Sequence, residues 1–179
     1  MSSNSSGPNN TAANSAPGNN PNDSIIPKSL MDSLKDAFAV QASTTVKLLQ
    51  VTAVDPQSLP NVDIISAIGI RSSSIAGTLA ICFPAPTFLG VLNKMLGENY
   101  AEITQENADA AGELMNIIYA SARVKINQSG HDFAPAIPTT TRGAALQISH
   151  SGSKKVIRVD CSCDYGPFYL EIGVRRVTG

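Results

Sequence analysis

Two β-prone runs joined by a very short linker constrain this chain more than any other feature. Residues 62–70 and 75–83 are rich in apolar side chains, and only "RSSS" separates them. A linker of this length joins antiparallel strands as a hairpin, because a parallel connection needs about a dozen residues or more. Pro84 and Pro86 then end the second run. The chain is therefore predicted to contain an antiparallel sheet.

Segments with helical periodicity lie on both sides of this hairpin. A long helix is predicted from about Ser29 to Gln50, where apolar residues recur at helical spacing. A short helix is predicted from about Pro86 to Leu96, with Gly97 as its C-terminal cap. A second long helix is predicted from about Thr104 to Gln128, and Gly130 closes it.

The C-terminal part returns to strands. The stretch "HDFAPAIPTTTRG", residues 131–143, is predicted to be an irregular loop. Three alternating runs follow at 144–150, at 155–160 with an extension to 163, and at 168–177, separated by turn-forming residues. Strands grouped in this way between helices indicate an α+β fold, in which an antiparallel sheet carries the helices on one face.

The N-terminal segment differs in composition from the rest. Residues 1–24 are mostly Asn, Ser, Pro, Gly and Ala, and Asp23 is the only charged side chain among them. Such a segment cannot bury enough apolar area to offset the entropy lost on ordering. We therefore expect a disordered tail at 1–24 and a single domain at 25–179.

Charge and composition exclude several classes of protein. The formal net charge is -1, which gives no general attraction to nucleic acid or to an anionic membrane. No window is apolar enough to span a bilayer, and the N-terminus lacks the pattern of a secretory signal. The three cysteines do not make a disulfide framework. A cytoplasmic protein without nucleic-acid or membrane partners is the simplest expectation.

The cysteines and histidines do not form a recognisable metal motif. Cys161 and Cys163 occupy one face of a predicted strand, and His150 is the only histidine close to them in sequence. Their spacing matches no standard zinc site, so two small buried apolar side chains are favoured over metal ligands. His131 and His150 are interpreted as isolated. No metal site is predicted.

The second long helix carries a polar stripe opposite its apolar face. At about 100° per residue, the stripe contains an acid and an amide one turn apart, Glu113 and Asn116. Its other members are Glu106, Asp109, Ala120, Arg123 and Asn127. Any soluble amphipathic helix has a solvated face of this kind. Two details favour a function: Ala120 leaves room for a partner, and asparagine is a poor residue for a helix interior.

The sequence around this pair resembles a known family. "DAAGELMN" (109–116), followed by Pro138 in "HDFAPAIPTT", is similar to the signature of the CheC/CheX/FliY family of chemotaxis phosphatases. That signature has an Asp or Ser, a Glu four residues later, an Asn three residues after that, and a later Pro. The first predicted helix contains no second E-x-x-N motif, and a single motif is typical of the CheX branch.

The resemblance implies a phosphatase that acts on another protein. Its expected substrate is the aspartyl phosphate of a CheY-like response-regulator receiver domain. Asn116 would orient the attacking water, and Glu113 would bind the receiver's active-site lysine. From the helical wheel, Asp109, Ala120 and Arg123 are candidate partner contacts. No cofactor bound by this chain is expected, because the receiver would carry the Mg²⁺.

The resemblance also implies a homodimer in which two sheets join. The runs "VIRVDCSC" and "FYLEIGVRRV" are long and β-prone, and one of them is expected to end as an unprotected sheet edge. Two alternatives to a phosphatase stay open at the level of sequence. One is a non-catalytic receiver-binding or flagellar-switch-like signalling adaptor on the same fold. The other is a structural domain whose Glu113 and Asn116 are ordinary surface residues.

Overall fold

The computed structural model of the chain describes residues 25–55, 62–150 and 152–177. The predicted tail at 1–24 lies outside the described residues. Within them the structure has three helices and six strands. The helices are α1 (Ile25–Ala42), α2 (Ala85–Leu96) and α3 (Asp109–Gln128), and the strands are β1 (Lys47–Val54), β2 (Val62–Arg71), β3 (Ile75–Phe83), β4 (Thr139–Leu146), β5 (Val156–Cys163) and β6 (Gly166–Arg176).

The six strands form one antiparallel sheet in the order β1-β5-β6-β3-β2-β4. The predicted hairpin is present, since β2 pairs with β3 along its length. All three helices pack on one face of the sheet and share one apolar core with it. The predicted α+β fold is therefore confirmed. None of the described helices combines the length and the apolar character needed to cross a membrane.

Stacked aromatic rings join the first helix to the middle of the sheet. Phe38 of α1 stacks on Phe168 of β6, with ring centroids 4.8 Å apart, and Phe83 of β3 stacks on the same ring at 5.2 Å. Phe88 of α2 contacts Phe83 at a tilted angle. All four rings are buried. Truncating one such ring to alanine typically costs about 3–5 kcal/mol, so this stack fixes the helices on the sheet.

The first predicted helix is too long at its C-terminal end. Instead of continuing to Gln50, α1 ends at Ala42, Ser43 has a left-handed φ of 47°, and the chain continues as the edge strand β1. Thr44 holds this change of direction, because its hydroxyl donates to Asp164 at 2.8 Å and accepts the Asp164 N–H. The apolar residues of 46–51 fit helical and extended spacing equally well, and pairing with β5 decides between them.

The strand boundaries near residue 140 also differ from the prediction. The expected loop at 131–143 is a loop only to Pro138, because β4 begins at Thr139 and pairs with β2. The run predicted at 144–150 leaves the sheet after Leu146. Threonines at 139–141 favour an extended strand, and the two prolines in the preceding segment concealed its start.

The connection from β4 to β5 contacts the sheet face opposite the helices. His150 Nε2 lies 3.0 Å from Glu171 Oε2, and both side chains are buried. The His150 ring lies so close to Gly173 that a Cβ there would overlap it. The interpretation of His150 as isolated is therefore wrong. Leaving one buried partner of such a pair unsatisfied typically costs about 1–3 kcal/mol, so the pair holds this connection on the sheet.

Candidate functional site

Side-chain hydrogen bonds hold the turn that precedes α3. The Thr104 N–H donates to Asn107 Oδ1 at 2.8 Å, and the Asn107 N–H donates to Thr104 Oγ1 at 3.2 Å. These reciprocal bonds make a capping box in which asparagine replaces the usual glutamate. α3 begins at Asp109, five residues later than predicted, and its own N-cap residue, Ala108, makes no side-chain capping bond. The Thr104–Asn107 turn leads into the helix and joins it to the preceding loop.

The candidate pair lies on the solvent side of α3. Glu113 and Asn116 are both exposed, whereas Leu114, Met115 and Ile118 between and after them are buried. Neither Glu113 nor Asn116 forms a side-chain hydrogen bond or an ion pair with any described residue. The helix therefore presents a carboxylate and a carboxamide one turn apart, both available to a partner.

The other predicted contact residues occupy the same side of the helix. Asp109 and Ala120 are exposed, and Arg123 is half-buried. Asn127, which the helical wheel also placed on the stripe, has a different role. Its carboxamide accepts the Phe133 N–H at 2.9 Å and donates to the Phe133 carbonyl at 3.0 Å. Asn127 thus anchors the loop after α3 and is not free to contact a partner.

The loop that carries Pro138 lies beside α3. The Tyr119 hydroxyl donates to the Ala134 carbonyl at 2.7 Å and holds the middle of the loop against the helix. At the end of the loop, Thr140 Oγ1 would be 3.1 Å from a Cβ at Gly112, so β4 starts next to the first half of α3. Pro138 is half-buried and precedes this contact by two residues. The two parts of the signature are therefore neighbours in the fold.

The cysteines are not part of this site. Cys161 is buried and Cys163 half-buried, and both contact the core, as small apolar side chains would. Burial raises the pKa of Cys161 to about 12, so its thiol stays protonated at neutral pH. Burial likewise raises the pKa of Cys163. Across the described ranges, no three His, Cys, Asp or Glu side chains converge in a way that would hold a metal ion.

A family comparison assigns this arrangement to a known class of protein. The family model for Chemotaxis phosphatase CheX matches residues 64–162, more than half of the chain, and this range includes the whole of α3 and the Pro138 loop. The chain belongs to the CheX family. Among individually curated proteins, none matches the chain in sequence.

Solved structures have the same fold over most of their length. A CheC-like superfamily protein from Shewanella sp. PV-4 is 27% identical with a TM-score of 0.76, and the match covers 84% of this chain and 97% of that one. The chemotaxis protein CheX from Vibrio vulnificus is 23% identical with a TM-score of 0.75, covering 84% and 99%. A chain of the CheX–CheY–BeF3–Mg complex from Borrelia burgdorferi is 21% identical with a TM-score of 0.66, covering 85% and 96%.

These comparisons identify the family and the fold but name no residues. The assignments of Glu113, Asn116, Asp109 and Ala120 stay predictions that their exposure on one helix face supports, and the assignment of the half-buried Arg123 rests on its place on the same face. The sequence did not single out the surface between α2 and α3, where Leu96 and Tyr100 are exposed beside Glu113. The only sequence signal there is the absence of Lys, Arg and His from 95–122.

Proposed function

We propose that this CheX-family protein hydrolyses the aspartyl phosphate of a CheY-like receiver domain, with Asn116 orienting the attacking water. The observation that carries the proposal is the position of Asn116. Its carboxamide is exposed, forms no hydrogen bond within the described residues, and lies one turn from an equally unpaired Glu113 on a well-packed helix. A rigid helix can insert such a side chain into a partner's active site without prior rearrangement.

The reaction asks little of the phosphatase beyond the placement of water. In hydrolysis of an acyl phosphate, the water oxygen bonds to phosphorus while the bond to the aspartate oxygen breaks, which yields inorganic phosphate and a free carboxylate. Catalysis of phosphoryl transfer depends mainly on positioning and electrostatics. A carboxamide has an acceptor oxygen and donor hydrogens on one short side chain, so Asn116 can hold a water in line with the breaking bond. The receiver is expected to carry the Mg²⁺.

Glu113 is better suited to binding the partner than to the chemistry. A carboxylate beside the phosphoryl group would repel its oxygens, whereas an ion pair with a receiver lysine would fix the position of the two proteins. That contact would set how deeply Asn116 enters the active site of the receiver. Asp109, Ala120 and Arg123 lie along the same stripe and would contact the rim of the receiver. Because receivers of this kind act in the cytoplasm, the proposal places the protein there.

We also propose that the protein forms a homodimer through a sheet edge, although not through the edge expected from the sequence. The prediction that β5 or β6 supplies an unprotected edge is wrong, because both are interior strands. The edges are β1 and β4. On β1, Leu49 and Val51 are 62% and 64% exposed, whereas the exposed residues of β4 are mainly Thr, Arg, Gly and Ala. We therefore assign the pairing edge to β1.

Phosphate release from a phosphorylated receiver tests the proposed activity. Candidate receivers of the host are phosphorylated, and the loss of acyl phosphate is followed with and without this protein. A phosphatase at catalytic concentration accelerates the loss for at least one receiver. A protein that binds such a receiver but leaves its dephosphorylation rate unchanged would be the non-catalytic adaptor instead.

A further inference from the structure

A groove separates the end of α2 from the start of α3, directly beside the candidate pair. We call it the α2–α3 groove; Met95, Leu96, Tyr100, Asn107, Ala110 and Glu113 are among its lining residues, and its volume is about 290 Å³. Glu113 thus belongs to the polar stripe and also lines the groove. A partner that contacts Glu113 therefore reaches the edge of the groove.

The α2–α3 groove is preformed by its own connection. Gly97 ends α2 in the left-handed conformation, with φ of 69°, and turns the chain back over the helix. The Asn93 carboxamide then binds the backbone of Tyr100 on both sides: it accepts the Tyr100 N–H at 2.7 Å and donates to the Tyr100 carbonyl at 3.1 Å. The Asn107 carboxamide also donates to the Glu102 carbonyl at 3.1 Å. A partner therefore loses little free energy to ordering this surface.

Apolar side chains remain exposed on this preformed surface. Leu96 is 51% exposed and Tyr100 39% exposed, and Met95 is half-buried below them. Neither Leu96 nor Tyr100 belongs to the buried core, so burial of apolar area within the chain does not explain their position. A large apolar side chain from a partner would bury their free faces, which is the usual role of an anchor residue at an interface.

The chain segment that forms the groove is acidic, and we call its acidic residues the acidic rim. Glu106 and Glu113 line the groove itself. Arg142 contacts the same segment from β4, where it donates to the Ile103 carbonyl at 3.3 Å. Between Lys94 and Arg123 the chain has five acidic residues and no basic ones, although the whole chain carries a formal net charge of only -1. The five are Glu98, Glu102, Glu106, Asp109 and Glu113. All are exposed, and none forms an ion pair with another described residue. A phosphoryl group would be repelled here, so the complementary surface carries cations.

We propose that the α2–α3 groove is a second docking site for the receiver, which takes a large apolar side chain flanked by lysine or arginine. This inference rests on the proposed function, because its occupant is a segment of the same receiver that Glu113 and Asn116 engage. The groove selects among receivers: those with a basic, apolar segment beside the phosphorylation site bind tightly, and those without one bind weakly.

Binding to a receiver loaded with beryllofluoride and Mg²⁺ tests the groove without any turnover. In the Leu96→Ser/Tyr100→Ser double variant, we expect the Kd to rise about tenfold or more, since two apolar contacts are lost. In the control, Val40→Ser, an apolar side chain that is 75% exposed on α1 is removed, and the Kd should stay within twofold. Circular dichroism confirms that both variants fold. An unchanged Kd in the double variant would overturn the inference.

Charge gives an independent readout of the same site. The Glu98→Gln/Glu102→Gln/Glu106→Gln variant should weaken binding at low salt and reduce the dependence of Kd on NaCl concentration. A salt dependence equal to that of the wild type would contradict the acidic rim as a docking surface.

The two proposals fail in different ways. If Asn116→Ala hydrolyses the phosphorylated receiver at the wild-type rate while the double variant loses binding, the docking role of the groove is supported and the catalytic role of Asn116 is wrong. If hydrolysis requires Asn116 while the double variant binds normally, the catalytic role of Asn116 is supported and the docking role of the groove is wrong. A wild-type protein that binds no loaded receiver of its host would overturn both.

Discussion

At the scale of single residues, the residue at position 116 that best suits the proposed function is not the one that best stabilises α3. Asn116 is exposed and bonds to no described residue, so it contributes nothing visible to the fold. Asparagine is less favourable than alanine in a helix interior by about 0.5–0.7 kcal/mol. The exposure and the missing bonds of Asn116 agree with the proposed role toward a partner.

This difference gives a prediction about stability. Asn116→Ala should leave the free energy of unfolding unchanged or raise it by about 0.5 kcal/mol, because alanine is the better helix former. Urea unfolding followed by circular dichroism measures the change, with Gln128→Ala as a control that removes an exposed carboxamide from the last turn of the same helix. A loss of more than about 1 kcal/mol in Asn116→Ala alone would mean that the side chain has a structural role.

Glu113 should affect binding more than chemistry. Glu113→Ala is expected to weaken binding to a receiver loaded with beryllofluoride by roughly 30-fold, which corresponds to about 2 kcal/mol for a lost interfacial ion pair. At saturating receiver the rate of dephosphorylation should fall much less than it does in Asn116→Ala. Titration calorimetry and a kcat–KM comparison measure the two effects, and a Kd within twofold of the wild type would exclude the docking role.

At the scale of elements, the turn that leads into α3 is held by the side chain of Asn107. Asn107 is buried, its side chain accepts the Thr104 N–H, and it donates to the Glu102 carbonyl. Asn107→Ala would leave these backbone groups without their partner. We expect a loss of about 1–2 kcal/mol in unfolding free energy, whereas Gln105→Ala, at an exposed position of the same turn, should cost less than about 0.5 kcal/mol. Equal, small effects in both variants would contradict the capping role.

The sequence predicts elements well where one spacing dominates. The β2–β3 hairpin, α2 with its Gly97 cap, and the course of α3 all follow from local pattern. It fails at β1 and at the start of β4, where long-range pairing with β5 and β2 decides the conformation of ambiguous or proline-flanked segments. For the same reason, the buried contact of His150 with Glu171 could not be predicted, because it joins residues brought together only by the finished sheet.

At the scale of the whole molecule, the sheet order decides which surfaces are open to partners. The helices cover one face, and the β4–β5 connection contacts the other. The edge strand β1 keeps Leu49 and Val51 exposed. α3 contacts β2, β3 and β4, whereas β1 is the edge at the other end of the sheet. A dimer formed through β1 would therefore leave Glu113 and Asn116 free to contact a receiver.

The assigned edge predicts the effect of charge on assembly. Sedimentation equilibrium of the wild type should give a dimer, and Leu49→Lys/Val51→Lys should give a monomer, because two charges would have to be buried at the joined edges. Val40→Lys, on exposed α1, should remain dimeric. A wild type that sediments as a monomer at micromolar concentration, or a lysine variant that stays dimeric, would contradict the assignment.

A single-turnover measurement tests the proposed role of Asn116 most directly. This protein, in excess over a phosphorylated receiver, is mixed rapidly, and the loss of acyl phosphate is timed for the wild type and for Asn116→Ala. We expect the variant to bind the receiver within twofold of the wild type but to dephosphorylate it about 100-fold more slowly, because the water is no longer held in line. Equal rates for the two proteins would contradict this role.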